Sequence, residues 1–584
     1  MSSSPGPEQP EETPDLYGAY PRLSDEQIAA LEQAGDRRSV PRDQVLYREG
    51  EGSGDFFVIL AGRAAIVEDS PAGRHIVGVH GPRRFLGDLG LVLGQAQFVS
   101  AVMLEAGEVL DLSAEQLREI VTEDQVLGDL ILRALIMRRS VLVGLGVGIR
   151  IIGSRHSPDT HRLRTFAARN RIPHHWIDLE ADPGAEDLLR RLGVRPAECP
   201  VVLLGPGRVL RRPSNGELAR ALGLRPAPER EITCELIVVG AGPAGLAAAT
   251  YGASEGLGTV VLEALASGGQ AARSPRIENY LGFPAGVSGA ELAERATVQA
   301  TKFGASITLA AEAAGLEALD GAFRVRLSGG GSAIGRAVVI ASGVQYRRLA
   351  LPEAEKLEGV CIHYAATEVE ARQCQGNPVV AVGGGNSGGQ GVLMLSRYVP
   401  RLTLVVRERD LGENMSRYLA DRILATPAIE VITHSEVREL IADGALEAVL
   451  AEDLDTGERR RLPARTLFVF IGGEPHTDWL QGKLALDAGG YVLTGEEATV
   501  AVSDGTADDR ERHSRLALET SMQGVFAAGD VRSGSTPRVA AAVGDGAIAI
   551  RNVHQYLSGE GQAVRLAQTY VLPTQPYAVS ARRS

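Results

Sequence analysis

Apolar and polar residues alternate at a period of two, broken by glycine turns, in the first patterned region of the chain, and helical periodicity brackets that region. DFFVILAGRAAIV (55–67) and RHIVGVHGP (74–82) read as strands, LSDEQIAALEQAG (23–35) as a short amphipathic helix, and SAEQLREIVTEDQVLGDLILRALIMRR (113–139) as one helical run. From about residue 147 the pattern becomes strand (GIRIIGS), helix (THRLRTFAARN), strand (HHWIDLE), helix (GAEDLLRRLG), strand (VVLL), hairpin (RVLRRPS) and helix (GELARALGL). RPAPEREIT (225–233) reads as a linker. Beyond it the strands are unbroken apolar runs that end in glycine clusters and lead into Ala- and Gly-rich helices.

At about 150 residues per domain, a chain of 584 holds roughly four domains. With 44% hydrophobic and 23% charged residues it is an ordinary globular sequence. The net charge of −13 argues against a sequence-independent nucleic-acid binder, which needs clustered excess Lys and Arg. Cys199, Cys234, Cys361 and Cys374 form neither a CxxC nor a metal-ligand cluster, so no disulfide framework and no metal site is expected. The polar, acidic start lacks the basic and apolar runs of a signal peptide, and no apolar stretch is long enough to span a membrane. A soluble, cytoplasmic protein is the expectation.

The chemistry lies in the glycine clusters. Leu236–Val239 runs into Gly240-Ala241-Gly242-Pro243-Ala244-Gly245 and a helix, and the following strand ends in Glu263. Such glycines permit a tight turn and close approach to a pyrophosphate, the helix start faces the phosphates, and the acid accepts ribose hydroxyls. The pattern recurs: Val379–Val382 leads into Gly383-Gly384-Gly385-Asn386-Ser387-Gly388, but the next strand ends in Arg407-Glu408-Arg409. Arginine there pairs with a 2′-phosphate that an acid would repel, so this second site is expected to prefer NADPH, although a solvated charge run is the alternative and Glu408 opposes the preference. Near the end, Gly524–Ala528 carries a strand into Gly529-Asp530, with a helix expected to start near Pro537 and Arg538-Val539-Ala540 following.

These elements, with Gly268-Gly269-Gln270, Ile277-Glu278-Asn279-Tyr280, Ala341-Ser342-Gly343 and Phe470-Ile471-Gly472, resemble bacterial low-molecular-weight thioredoxin reductase across about 233–558. The resemblance implies an α/β multidomain protein with two Rossmann-like dinucleotide-binding domains, the NADPH domain inserted in the FAD domain. It places Gly269, Gln270, Asn279, Asp530, Arg538, Val539 and Ala540 around FAD, and Ile471 and Gly472 near the nicotinamide. The order helix, β-roll, helix in the first region resembles a cyclic-nucleotide-binding domain, with Phe85–Ala101 in place of its phosphate cassette. By that register the ribose acid is Asp88 and the phosphate-binding Arg is replaced by Gln97. A neutral amide does not neutralise a phosphate, so a structural or docking domain is expected, with a working nucleotide sensor as the alternative. The middle region resembles a glutaredoxin or thioredoxin-like domain whose CxxC has become Ser157-Pro158-Asp159-Thr160, with Cys199-Pro200 in place of the cis-proline. The expected boundaries are a disordered tail 1–18, a cyclic-nucleotide-binding-like domain 19–145, a thioredoxin-like domain 146–226, FAD domain 233–352 and 477–560, NADPH domain 353–476, and a tail 561–584.

The resemblance breaks where thioredoxin reductases carry CATC. Here the stretch is Tyr364-Ala365-Ala366-Thr367-Glu368, with Ala365 and Glu368 at the redox positions. No catalytic residue is therefore assigned. The sequence favours an FAD-dependent oxidoreductase that takes hydride from NADPH and reduces an acceptor other than a resident dithiol: a ferredoxin or flavodoxin, a quinone or another flavin. The alternatives are a non-catalytic FAD/NADPH sensor signalling through the N-terminal domains and a thioredoxin reductase using non-standard cysteines. A homodimer is expected, with a redox protein or small acceptor as partner and neither nucleic acid nor membrane.

Overall fold

The computed structural model describes residues 10–559, apart from 53, 71–72, 206–207, 229, 275, 359, 367, 375, 444 and 504–514. The expected tail 561–584 lies outside the described residues.

The first region is a β-roll of two four-stranded sheets. One runs Asp36–Val40, Gly107–Leu112, Phe56–Ala61, Phe85–Leu86, and the other Val45–Tyr47, Ser100–Met103, Ala64–Ser70, Gly73–His80. Val40, Phe57, Ile59, Met103 and Val109 fill the space between them. Two expectations are corrected here. The single helical run divides into Ala114–Glu123 and Gln125–Leu145 at Asp124, which leaves helical conformation (φ −100°, ψ 102°) and caps the second helix by accepting from the Val126 and Leu127 N–H groups. Residues 10–18 also do not behave as a free tail: Thr13 exchanges hydrogen bonds with Val79 (2.9 and 2.8 Å), and Glu12 accepts from the Gly81 N–H at 2.9 Å. An open strand edge supplies these partners, as edges do.

The second region is a four-stranded sheet in the order His174–Asp178, Ile149–Gly153, Val201–Leu204, Arg208–Arg211, the first pair parallel and the others antiparallel. The Cys199–Pro200 peptide bond is cis. Its first helix, Pro158–Arg169, starts at Ser157, whose Oγ accepts from the Thr160 N–H. The supposed linker is shorter than expected. Strand Glu231–Val239 already begins at Glu231, because β-branched Ile232 and Thr233 extend it along strand Ser332–Ile340.

The third region is a seven-stranded sheet ordered Ser306–Leu309, Thr259–Glu263, Glu231–Val239, Ser332–Ile340, Ala322–Leu327, Ala313–Leu319, with Val525–Ala527 joining Ser332–Ile340 in parallel. The chain thus leaves this sheet and returns to it near its end. Between the two passes lies a five-stranded parallel sheet, Ile362–His363, Thr466–Val469, Val379–Val382, Leu402–Val405, Ile429–Ile432. A two-stranded ribbon, Val344–Tyr346 against Gly473–Pro475, joins the two bodies.

Candidate functional site

At the first turn, Gly240 (φ +102°) and Gly245 have no room for a side chain: a Cβ would lie 2.4 Å from the Ala341 carbonyl oxygen and 1.9 Å from that of Gly240, respectively. Gly242 is different, since its Cβ would meet only the Cα of Gly269, at 3.9 Å. Gly242 is also the N-cap of helix Pro243–Ser254 and offers no side-chain cap. The N–H groups of that first turn, including Ala244, are therefore donors beside open space, the arrangement a pyrophosphate fits. Glu263 stands next to them, accepting from the N–H groups of Ala241 (2.8 Å), Leu265 (2.9 Å) and Ala266 (3.1 Å).

Distant segments converge on this turn. Gln270 Nε2 donates to the Val344 carbonyl at 2.6 Å. A Cβ on Gly529 (φ +75°) would lie 2.9 Å from Ala244 Cβ, so the late Gly-Asp turn abuts the first helix. Burial, then the neighbouring Asp545, pushes the Asp530 carboxyl above the ordinary range. Helix Val539–Gly559 follows, with Arg538 and Ala540 exposed at its start and Val539 half-buried. Asn279 is exposed, beside Glu278, which reaches Arg422 of the inserted body at 3.5 Å.

The second turn repeats the first. A Cβ on Gly383 (φ +126°) would sit 2.1 Å from the Phe470 carbonyl oxygen and one on Gly388 2.4 Å from that of Gly383, whereas one on Gly385 would have nothing within 4 Å. Gly385 caps helix Asn386–Leu395 without a side-chain bond. Asn386 accepts from the Ser416 N–H at 2.7 Å, and Ser387 is exposed. Gly472 (φ +91°), after Ile471, borders open space.

The arginines expected to select NADPH already have partners. Arg407 pairs with Glu436, and Arg409 grips Asp455 at 2.7 and 2.8 Å and contacts His434 Nε2 at 3.1 Å. Glu408, given a minor part in the sequence, turns inward instead. Its Oε1 accepts from Asn414, while Oε2 is buried without a hydrogen-bond partner, 2.3 Å from where a Cβ on Gly384 would be. Its place in an Arg-Glu-Arg run disguises this, because strand register does not fix side-chain direction just past a strand end.

The stretch Tyr364–Ala366 lines a cavity shared with helix Pro158–Arg169. Tyr364 Oη donates to Glu358 at 2.7 Å and accepts from the Leu349 N–H; Ala365 is half-buried, and Glu368 opens helix Glu368–Gln373 with its side chain outside the described residues. The rings of His161 and His363 lie 6.3 Å apart. All four cysteines are free. Cys361 and Cys374 are both buried beside strand Thr466–Val469, and burial raises the Cys374 thiol above its ordinary range.

In the β-roll, Asp88 is committed to an internal pair: Oδ2 lies 3.1 Å from Arg139, and Oδ1 accepts from the Gly90 N–H. Gln97 is buried, with neither amide atom hydrogen-bonded. The adjacent Ala96 N–H donates to the Leu222 carbonyl, so the second region covers this stretch.

Two Rossmann-type glycine turns, one inside the other's domain, define a two-dinucleotide flavoprotein oxidoreductase. Residues 234–546 match the family described as pyridine nucleotide-disulphide oxidoreductase, and residues 37–124 match the cyclic nucleotide-binding domain. The chain is 33% identical to the thioredoxin reductase of Treponema pallidum over 327 residues, 56% of this chain and 98% of the relative. It is 31% identical to the 34.2 kDa protein in the rubredoxin operon of Clostridium pasteurianum, over 57% of this chain and all of that one. The crystal structure of Lactococcus lactis thioredoxin reductase in its FR conformation shares the fold, with 24% identity, a TM-score of 0.50 and coverage of 56% of this chain and 99% of that one. The chain belongs to the pyridine nucleotide-disulphide oxidoreductases, as a thioredoxin reductase-like, NADPH-dependent flavoprotein carrying an N-terminal cyclic-nucleotide-binding fold. Its cofactors are FAD and NADPH. Among the described residues no group of His, Cys, Asp and Glu could hold a metal, and no helix is long and apolar enough to cross a membrane.

Proposed function

We propose that this protein takes hydride from NADPH onto FAD and passes the electrons to an acceptor other than a resident dithiol. The observation that carries this reading is the pair Ala365 and Glu368 at the positions of the family's redox cysteines. FAD supplies the capacity to accept a hydride and release its electrons. The chain's own residues bind and orient. The uncapped turn at Gly240, Gly242, Pro243, Ala244 and Gly245 holds the FAD pyrophosphate, Glu263 the adenosine ribose, and Gly269, Gln270, Asn279, Gly529, Asp530 and Arg538–Ala540 the flavin-bearing half. Gly383, Gly385, Asn386, Ser387 and Gly388 hold the NADPH pyrophosphate, Arg407 and Arg409 its 2′-phosphate, and Ile471-Gly472 border the nicotinamide. Cys361 and Cys374 have no part in transfer: both are buried, and burial suppresses ionisation of the Cys374 thiol, which makes it a poor nucleophile.

The acceptor is a ferredoxin or flavodoxin, a quinone or another flavin, reached by a cytoplasmic homodimer. In a thiol-release assay with NADPH and thioredoxin, the purified chain should read at background while a small one-electron dye is reduced. Robust thioredoxin turnover lost in Cys361→Ser or Cys374→Ser would overturn this reading. Oxidised flavin persisting under excess NADPH would favour the sensor instead.

A further inference from the structure

A cavity of about 1390 Å3 lies where the N-terminal regions meet the two dinucleotide-binding bodies. Its wall includes Arg139 of the β-roll's last helix, Arg169 of the thioredoxin-like region, Arg273 of the FAD-side body and Arg397 of the inserted body. Among the described residues, neither glycine turn nor Glu263, Asp530 or Gly472 lines it, although it adjoins the flavin-side segment at Ser267 and Arg273. Ligand cavities commonly enclose about 300–1,000 Å3, so this one has room for a nucleotide-sized molecule.

Its charge is mostly positive, nine arginines against Glu294, Glu358 and Glu370 among the described residues. Arg139, Arg171 and Arg348 are paired with Asp88 (3.1 Å), Glu294 (3.3 Å) and Glu358 (3.1 Å). Arg169, Arg273 and Arg397 have no carboxylate partner among the described residues. Arg169 donates to the Gly269 carbonyl at 3.2 Å, and Arg273 lies over the Tyr346 ring at 4.9 Å. Burial, then the Arg273 guanidinium, lowers Arg169 to about 10, so it stays cationic at neutral pH. The Nε of Arg139, fully enclosed in the same wall, has no hydrogen-bond partner. Like charges gathered around one cleft repel one another unless a counter-charge joins them. Guanidinium groups meet that need best with phosphate or carboxylate oxygens.

We propose that this cavity binds a small polyanion, a molecule bearing at least two phosphate or carboxylate groups, through Arg169, Arg273 and Arg397, one from each of three regions that meet there. The ligand bridges those regions and leaves both dinucleotide sites free.

The test uses the full chain saturated with FAD and NADP+, in low salt, in a Trp479→Phe background. Trp176, then the sole tryptophan, lines the cavity with the Arg164 guanidinium 3.7 Å above its ring and reports occupancy by fluorescence. Inorganic pyrophosphate is titrated in one arm and citrate in the other. At least one should give a saturable change, weakened about tenfold or more in both Arg273→Met and Arg397→Met. Tighter binding of pyrophosphate identifies a phosphate-bearing ligand, and tighter binding of citrate a carboxylate-bearing one. Arg397 is exposed at a helix end, so its variant reports even where Arg273→Met disturbs folding. The proposal is overturned if neither anion gives a saturable change at millimolar concentration, if affinity is unaltered in Arg397→Met, or if an anion that binds the FAD-loaded chain without NADP+ no longer binds once NADP+ is saturating.

Discussion

His161 of helix Pro158–Arg169 and His363 of the inserted body face each other with ring centroids 6.3 Å apart, so a neighbouring region of the same chain lies beside the stretch that leads to Ala365. Burial lowers both imidazoles, His363 to about 4, against a smaller opposing pull from Glu370. A lowered histidine is neutral when folded and takes up a proton on unfolding, so stability falls as pH drops from 6.5 toward 4. Denaturant titrations across that window should show a flatter pH dependence for His363→Gln than for wild type. Equal slopes would mean that the contact is not maintained in solution.

Glu263→Ala should weaken FAD retention by roughly tenfold or more, through loss of charge-assisted bonds to the ribose. The variant also removes the acceptor for three backbone N–H groups, so melting of the apoprotein should fall together with the flavin-to-protein absorbance ratio. Retention of full flavin content would show that Glu263 only braces the turn.

NADPH should reduce the flavin more efficiently than NADH, and Arg407→Ala should narrow that preference by about tenfold, the worth of one charged hydrogen bond to phosphate. Glu408→Ala should widen it, because the variant takes a buried carboxylate away from the second glycine turn. Stopped-flow reduction with both nucleotides measures each ratio. An unchanged ratio in Glu408→Ala would place that carboxylate outside the nucleotide's reach.

Calorimetry with cyclic AMP and cyclic GMP should detect no binding, since Asp88 is spent on Arg139 and Gln97 offers a phosphate no charge. Asp88→Asn should cost about 3–5 kcal/mol of stability by stranding the buried Arg139 charge. Micromolar affinity for either nucleotide would show that the β-roll opens.

The dinucleotide-binding elements were legible because their determinants are local: Gly240 and Gly383 must turn within a few residues of an apolar strand, and sequence records that directly. The break at Asp124 was missed because two helices in tandem keep the same apolar period across a one-residue cap. The docking of Glu12 and Thr13 depends on an edge exposed by Gly73–His80, which no local pattern announces. Glu408 looked like surface charge, and only the closeness of Gly384 reveals its direction. The arginine-walled cavity is assembled from residues more than two hundred positions apart, beyond any local signal.

The helix Pro158–Arg169 acts as a strut. Beyond its His161 contact with the inserted body, Arg169 and the following Asn170 hold the carbonyls of Gly269 and Leu265 at 3.2 and 3.0 Å. It therefore spans the two bodies that only a two-stranded ribbon otherwise joins in sequence. Any turn of one body about that ribbon would have to break these contacts or the Glu278–Arg422 pair. The two bodies are thereby braced by residues that belong to neither glycine turn.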